Sequence, residues 1–259
     1  MHSDWLIPDW PAPAQVRAVC TTRQGGISLP PYDSLNLGDH VGDDPAAVAS
    51  NRVAFSRALR ARPVFLQQVH GSGVAKLEMR TPDGTPADAC IATEPGLACT
   101  IMVADCLPVL FTDTEGRVVA AAHAGWRGLA GTGGCGILEN VVQAFRATLL
   151  FAGADSASET LAWLGPCIGP QAFEVGDEVR QAFELADPAA AAGFQPHADG
   201  KWLADLAGLA RLRLTALGIA RVYGNDGTPA WCTASNPSRF FSHRRDRVSG
   251  RFAASIWRL

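Results

Sequence analysis

The sequence predicts one domain of mixed α and β structure in which sheets are covered by helices. Short runs rich in Val, Ile and Leu alternate with amphipathic stretches along the chain, the pattern of strands packed beneath helices. No repeat, low-complexity tract or charge run divides the 259 residues, a length that one core can fill. The two loosest stretches, 153–159 and 187–200, are short and rich in Ala or Gly, which marks them as loops within a domain.

Taken in order, Asp44-Pro45 supplies an N-cap and a first-turn proline for a helix running to about residue 60. Strands are expected at 64–69, 89–93, 98–104, 108–112 and 118–123, where β-branched and apolar residues run together or alternate. A glycine-rich loop (Gly125, Gly128, Gly131, Gly133, Gly134) then leads into a helix over about 137–150. A short apolar segment at 161–164 follows, with helices near 176–185 and 203–217 and terminal strands at 219–223 and 252–257.

Composition excludes several functions. With 22 Lys+Arg against 25 Asp+Glu, a net charge of -3 and 18% charged residues, the chain lacks the basic excess that binding a nucleic acid requires. The longest apolar stretch, 97–111, is interrupted by Asp105 and Pro108 and falls short of the roughly 20 residues of a membrane span. The start, Met1-His2-Ser3-Asp4-Trp5, has neither the basic region nor the apolar core of a secretory signal, so a cytoplasmic location is expected. The seven cysteines contain no CxxC pair, and most are expected to be small buried apolar residues in a reducing compartment.

Three side chains stand out by position. His123 ends the run Val118-Val119-Ala120-Ala121-Ala122 and is followed by Gly125-Trp126-Arg127-Gly128, where loops that carry function gather. His70 closes a second β-like run and also precedes glycine. Cys106 lies beside Asp105 within an otherwise apolar stretch, and such groups are costly to bury without partners. Two imidazoles and a thiolate match a catalytic zinc site with three protein ligands, although separations of 36 and 17 residues form no diagnostic spacing. The same residues equally describe a Cys106 nucleophile activated by a histidine, or core histidines and an inert thiol. Arg127, among glycines ahead of a helix, is a candidate anion holder. His243-Arg244-Arg245-Asp246 with Arg251 reads either as an anion clamp or as an ion-pair network. Cys167, in the rigid turn Gly165-Pro166-Cys167-Ile168-Gly169-Pro170, lines a pocket or packs.

Together, Thr21-Thr22-Arg23-Gln24-Gly25-Gly26-Ile27-Ser28, Ser34-Leu35-Asn36-Leu37-Gly38, Gln68-Val69-His70-Gly71, Ala104-Asp105-Cys106-Leu107-Pro108-Val109, His123-Ala124-Gly125-Trp126-Arg127-Gly128, Gly165-Pro166-Cys167-Ile168-Gly169 and Phe241-Ser242-His243-Arg244-Arg245-Asp246 resemble the YfiH family, also called the multicopper polyphenol oxidase or laccase-domain family. The motifs follow the family's order from about Val16 to Trp257, which leaves 1–259 as one domain. The resemblance implies an α+β fold, a layered α/β/β/α sandwich with mixed sheets. It implies His70, Cys106 and His123 as zinc ligands, and an enzyme that phosphorolyses adenosine, inosine and methylthioadenosine and deaminates adenosine. Purine nucleoside and phosphate are then the small-molecule partners, for a monomer or small homo-oligomer. Asp105 is the expected acidic group near the metal, and Arg127 the expected phosphate holder. Arg52 and Arg244 are further anion candidates, and Asn36 and Gln68 are candidates to read ribose or base. The alternative is a copper-dependent oxidase of phenolic compounds, for which six histidines are few. A binding module without catalysis is a third reading. The chain departs from the family pattern at His243, usually tyrosine, at Arg247, usually glycine, and in the longer loop Thr132-Gly133-Gly134-Cys135-Gly136.

Overall fold

Strand alternation in this chain sends apolar side chains to both faces of each main sheet, so each sheet needs cover on two sides. The computed structural model describes residues 2–153 and 159–259; most of the loop expected at 153–159 lies outside the described residues. The chain begins with β1 (Val16–Cys20), α1 (Pro45–Leu59), β2 (Arg62–Phe65), β3 (Val74–Lys76), β4 (Ala89–Ala92), β5 (Leu97–Val103), β6 (Leu107–Asp113) and β7 (Val119–Ala124). It continues through α2 (Trp126–Ala130), α3 (Ile137–Phe151), β8 (Thr160–Leu164), β9 (Glu174–Val175), α4 (Asp177–Glu184), β10 (Phe194–Pro196) and β11 (Trp202–Ala204). The last elements are α5 (Leu206–Ala216), β12 (Arg221–Gly224), α6 (His243–Asp246) and β13 (Phe252–Arg258).

Four strands form one sheet in the order β1-β13-β5-β2, and six form a second in the order β12-β8-β6-β7-β4-β3. Both are mixed: β2 runs parallel to β5 and β12 to β8, whereas β13 and β6 pair antiparallel with both of their neighbours. In β6, Leu110 points into the layer between the sheets, where Trp163, Ile101 and Phe252 also lie. Its neighbours Val109 and Phe111 point the other way, into the layer shared with Val141, Phe145 and Leu214 of α3 and α5. Helix α1 covers the outer face of the four-stranded sheet through Phe55 and Leu59, packed with Val19, Ala98 and Trp257. Asp44 starts that helix as expected, its carboxylate accepting the Ala46 N–H at 3.0 Å. The layers therefore run α/β/β/α, the α+β sandwich that the resemblance implied.

Three local expectations change. The strand expected over 64–69 stops at Phe65, because Gln68 turns its side-chain amide onto β5. Within the expected glycine-rich loop, residues 126–130 form a five-residue helix bounded by Gly125 and Gly131, too short to leave a periodic signature. The helix expected from 203 begins at Leu206, since residues 202–204 pair in a small sheet with β9 and β10. Among the described residues, no helix is long and apolar enough to cross a membrane.

One connection positions the site. The chain leaves the four-stranded sheet at Val103 and enters the six-stranded sheet at Leu107, so residues 104–106 bridge the two. Phe111 tests the layering: its ring is fully buried and stacks obliquely on Phe145 with centroids 6.4 Å apart. Phe111→Ala is expected to cost about 3–5 kcal/mol, read as a lower urea midpoint with an unchanged m-value.

Candidate metal centre

His70, Cys106 and His123 come from three separate segments, yet their donor atoms all lie within 4.8 Å of one another. Cys106 Sγ is 3.8 Å from His70 Nε2, and the two imidazole rings meet edge to face with centroids 4.8 Å apart. Among the described residues this is the one group of three or more such donors close enough to hold a metal ion. Gly125 gives the cluster room, since a Cβ there would stand 3.0 Å from His70 and 3.1 Å from the Cys106 sulfur. Two nitrogens and one sulfur fit a borderline-soft ion with a coordination position to spare.

Each donor has its own support. His70 lies beyond the end of β2, where Gln68 carries the chain along β5: its Nε2 donates to the Met102 carbonyl and its Oε1 accepts the Met102 N–H, both at 2.8 Å. His70 then adopts φ 59°, a left-handed conformation that a histidine holds only with outside support. Asp88 supplies it. The buried carboxylate accepts N–H groups from Val69 at 3.2 Å, His70 at 2.9 Å and Gly71 at 2.7 Å. Its Oδ1 also lies 2.9 Å from Nδ1 of His123, whose backbone N–H donates to the Asp88 carbonyl at 2.7 Å. With Nδ1–H donating to Asp88, Nε2 of His123 is left as the free donor atom. Cys106 is set by the crossover between the sheets, where Asp105 takes φ 92°. Asp105 stabilises that turn by accepting from Thr233 Oγ1 and from the Arg244 N–H, each at 2.6 Å.

Before an ion binds, the electrostatics favour thiolate and imidazolium together, and a bound cation would take the place of the Nε2 proton of His123. Burial opposes charge on Cys106, but His123 and hydrogen bonds from both histidines outweigh it and bring its pKa down to about 6. Burial also opposes charge on His123, and the Cys106 and Asp88 charges beside it reverse that effect. Asp88 is held below its usual range against burial by His123 and the Gly71 N–H.

Beside Cys106 opens a pocket of about 130 Å³ whose wall includes Asp105, Trp126, Phe173, His243 and Arg244, with Ile168 and Leu206 adding apolar surface. That volume is below the roughly 300 Å³ at which drug-sized pockets begin, so it suits one ring system. Arg244 donates through Nη1 to the Glu174 carbonyl at 2.9 Å. Arg127 is exposed, its guanidinium stacked 4.5 Å over the Trp126 ring.

Other expected site residues serve the framework. Asn36 is fully buried and spends its amide on Gly38, Asp43 and the Arg251 N–H, whereas Gln68 is half-buried, bonds Met102 with one N–H and one lone pair, and borders the cleft that holds Arg52. Arg52 lies in a separate cleft, tied to the Leu37 carbonyl at 2.9 Å and to Asp39 at 3.2 Å. Cys167 is buried, with its pKa pushed well up by burial and then by the Asp205 charge; it packs and accepts a hydrogen bond from Asn225. Arg245 staples the carbonyls of Thr233, Ala234 and Phe240.

Sequence reasoning missed Asp88, Trp126 and Phe173. A signal for Asp88 exists: it stands between Ala87 and Ala89-Cys90-Ile91, the same charge-in-apolar-surroundings pattern that singled out Asp105.

Two measurements test this geometry. Asp88→Asn is expected to weaken metal binding by about 10–100-fold, measured by chelator competition on protein of unchanged circular dichroism; equal affinity would remove Asp88 from the site. In metal-stripped protein, Cys106 should alkylate with iodoacetamide with a pH midpoint near 6, while Cys167 stays unlabelled until the chain unfolds. Peptide mapping separates both from the exposed Cys135, and a Cys106 midpoint in the ordinary thiol range would show that the ion pair does not form.

Comparison with known proteins agrees with the motifs. Residues 17–259 match the family model described as multi-copper polyphenol oxidoreductase laccase. Purine nucleoside phosphorylase PA4543 of Pseudomonas aeruginosa is 50% identical over 254 residues, covering 98% of each chain. Purine nucleoside phosphorylase YfiH of Escherichia coli is 49% identical over 257 residues, covering 98% of this chain and 99% of the relative. Among solved structures, Neisseria meningitidis protein NMB0706 superposes with a TM-score of 0.89 at 44% identity, over 99% of both chains. Bacillus licheniformis hypothetical protein YfiH superposes with a TM-score of 0.84 at 30% identity, over 95% of this chain and 93% of the other. Matched from end to end in sequence and in fold, the chain belongs to the multi-copper polyphenol oxidoreductase laccase family, alongside YfiH.

Proposed function

We propose that the protein is a zinc-dependent purine nucleoside enzyme that phosphorolyses adenosine, inosine and methylthioadenosine and deaminates adenosine. The observation that carries this reading is the two-imidazole, one-thiolate cluster opening onto a small aromatic pocket; the names of the relatives support the phosphorylase half. His70, Cys106 and His123 would hold the ion, which when bound supplies Lewis acidity.

The chain's own residues do the rest. Trp126 and Phe173 offer ring faces and edges to a planar base. In phosphorolysis the bond from C1′ to the base breaks, a phosphate oxygen bonds to C1′, and the departing base takes up a proton. In deamination water adds at the purine C6 and ammonia leaves. Asp105 is the proposed proton carrier for both: each carboxylate oxygen keeps a second lone pair after accepting from Thr233 and Arg244. Arg244 holds the pocket wall. Arg127, exposed and without an ion pair or hydrogen bond from its side chain among the described residues, is the proposed first contact of an incoming phosphate at the pocket's outer edge. All seven cysteines are free, which accords with a reducing, cytoplasmic setting.

The family's description favours a second reading, copper-dependent oxidation of phenols. A coupled multicopper centre draws on many histidines, and here His40 and His197 instead stand beside carboxylates on other parts of the surface.

The deciding experiment combines metal analysis of the purified protein with mass-spectrometric detection of products from adenosine, with and without phosphate. Free base with ribose 1-phosphate, formed only with phosphate, and inosine, formed without it, are the expected products. His70→Ala and His123→Ala are expected to abolish metal retention and turnover while leaving a folded chain. Fully active variants with unchanged metal content would refute the site, and oxygen uptake with a phenol, lost on exchanging copper for zinc, would establish the oxidase instead.

A further inference from the structure

We propose that Arg251 is the side chain that grips phosphate beside the metal cluster, and that the segment Asn36-Leu37-Gly38 exists to present it there. The inference rests on the phosphorolytic reading of the site and adds to it a residue, a delivery device and a ligand class, an oxyanion of phosphate type.

Strand register places Arg251. The β13–β5 ladder begins with Phe252 opposite Val103, so Arg251 sits one step before the first pair, next to the 104–106 crossover that carries Asp105 and Cys106. Its backbone is held on both sides: its N–H donates to Asn36 Oδ1 at 2.8 Å, and its carbonyl accepts from the Leu37 N–H at 3.0 Å. The side chain then passes directly over Gly38, where a Cβ would stand 2.8 Å from Arg251 Cγ. Gly38 has no positive φ, so the requirement for glycine there is the space for this arginine.

The head group is only partly used. Nη1 donates to the carbonyls of Ser249 at 2.9 Å and Gly250 at 3.0 Å, and among the described residues Nε and Nη2 have no hydrogen-bond partner. Two adjacent donors on a fixed, half-buried guanidinium match the fork that binds two phosphate oxygens. Burial works against this cation, and the Cys106 and Asp105 charges work for it. The other arginines sit differently. Arg52 is paired with Asp39, Arg127 lies outside on the Trp126 ring, and Arg244, whose Nη1 likewise meets backbone carbonyls, carries its guanidinium over the Phe173 ring; the glycine kept beneath its stem sets Arg251 apart.

The test is titration of inorganic phosphate into zinc-loaded protein, followed calorimetrically, for the wild type, R251Q, R251K and G38A. R251Q keeps a donor for the Ser249 and Gly250 carbonyls, and metal content and melting temperature show whether fold and cluster remain intact. Losing a charged hydrogen-bond pair corresponds to about a tenfold or greater loss of phosphate affinity. That loss is expected for R251Q, with partial recovery in R251K and a comparable loss in G38A, where the arginine is pushed aside. Wild-type phosphate affinity in R251Q, or no phosphate binding by the wild type, would overturn the proposal. If phosphate binds through Arg251 but adenosine yields no ribose 1-phosphate, the phosphorolytic reading fails while the anion site stands.

Discussion

The candidate site depends on one buried carboxylate. Asp88 accepts three consecutive backbone N–H groups from the His70 segment and one ring N–H from His123, so a single side chain fixes the position of both imidazoles. Such a group is expensive to bury, and what offsets the cost is full satisfaction by donors that are themselves part of the site. The consequence is cooperative. The left-handed backbone at His70, the tautomer of His123 and the donor character of Cys106 each depend on the others through Asp88. A partly formed site would leave a charge buried without partners, a strongly unfavourable state.

The two-sheet architecture explains why these groups meet. Asp88 directly precedes β4, which pairs with β7, and Ala89 opposite Ala122 brings Asp88 to His123. Cys106 sits where the chain passes from one sheet to the other, and Gln68 clamps the His70 segment to β5. Strand ends from both sheets thus supply the site. The tightly packed layer between them, with Leu110, Trp163 and Phe252 fully or almost fully buried, fixes their separation. Asp105 performs the same service on the pocket side, tying the crossover to Thr233 and to the start of α6. The carboxylates on either side of the cluster thus both anchor neighbouring segments, and of the two Asp105 also lines the pocket.

Several features were legible in the chain before folding. The α1 start at Asp44-Pro45, the strands around 98–112 and 118–123, and the helix over 137–150 follow from caps and apolar runs, because local physics and tertiary packing agree there. His70, Cys106 and His123 were legible as three unusual residues at strand ends or breaks, and the family resemblance joined them. Asn36 and Gln68 were legible as polar residues in special places, but their partners are backbone groups far away in sequence, such as Arg251 and Met102, and that choice decides whether an amide reads a ligand or builds a loop. Helix α2 and the short strands β3, β9, β10 and β11 were not legible, since two to five residues carry too little pattern to outweigh a glycine or a turn residue.

By itself, the sequence determined the donor types, the family and the apolar periodicity that dictates layers of sheet beneath helix, because composition, motif and period are properties of neighbouring residues. Tertiary structure alone decided that Asp88 organises the two histidines, that Cys167 is core rather than pocket, and that Trp126 and Phe173 share a wall beside Cys106. It also decided that Arg251 crosses Gly38 next to the start of the crossover that carries Asp105 and Cys106. Each of these depends on contacts between segments tens to hundreds of residues apart, and such contacts exist only once the two sheets have closed on each other and fixed the distance between their ends.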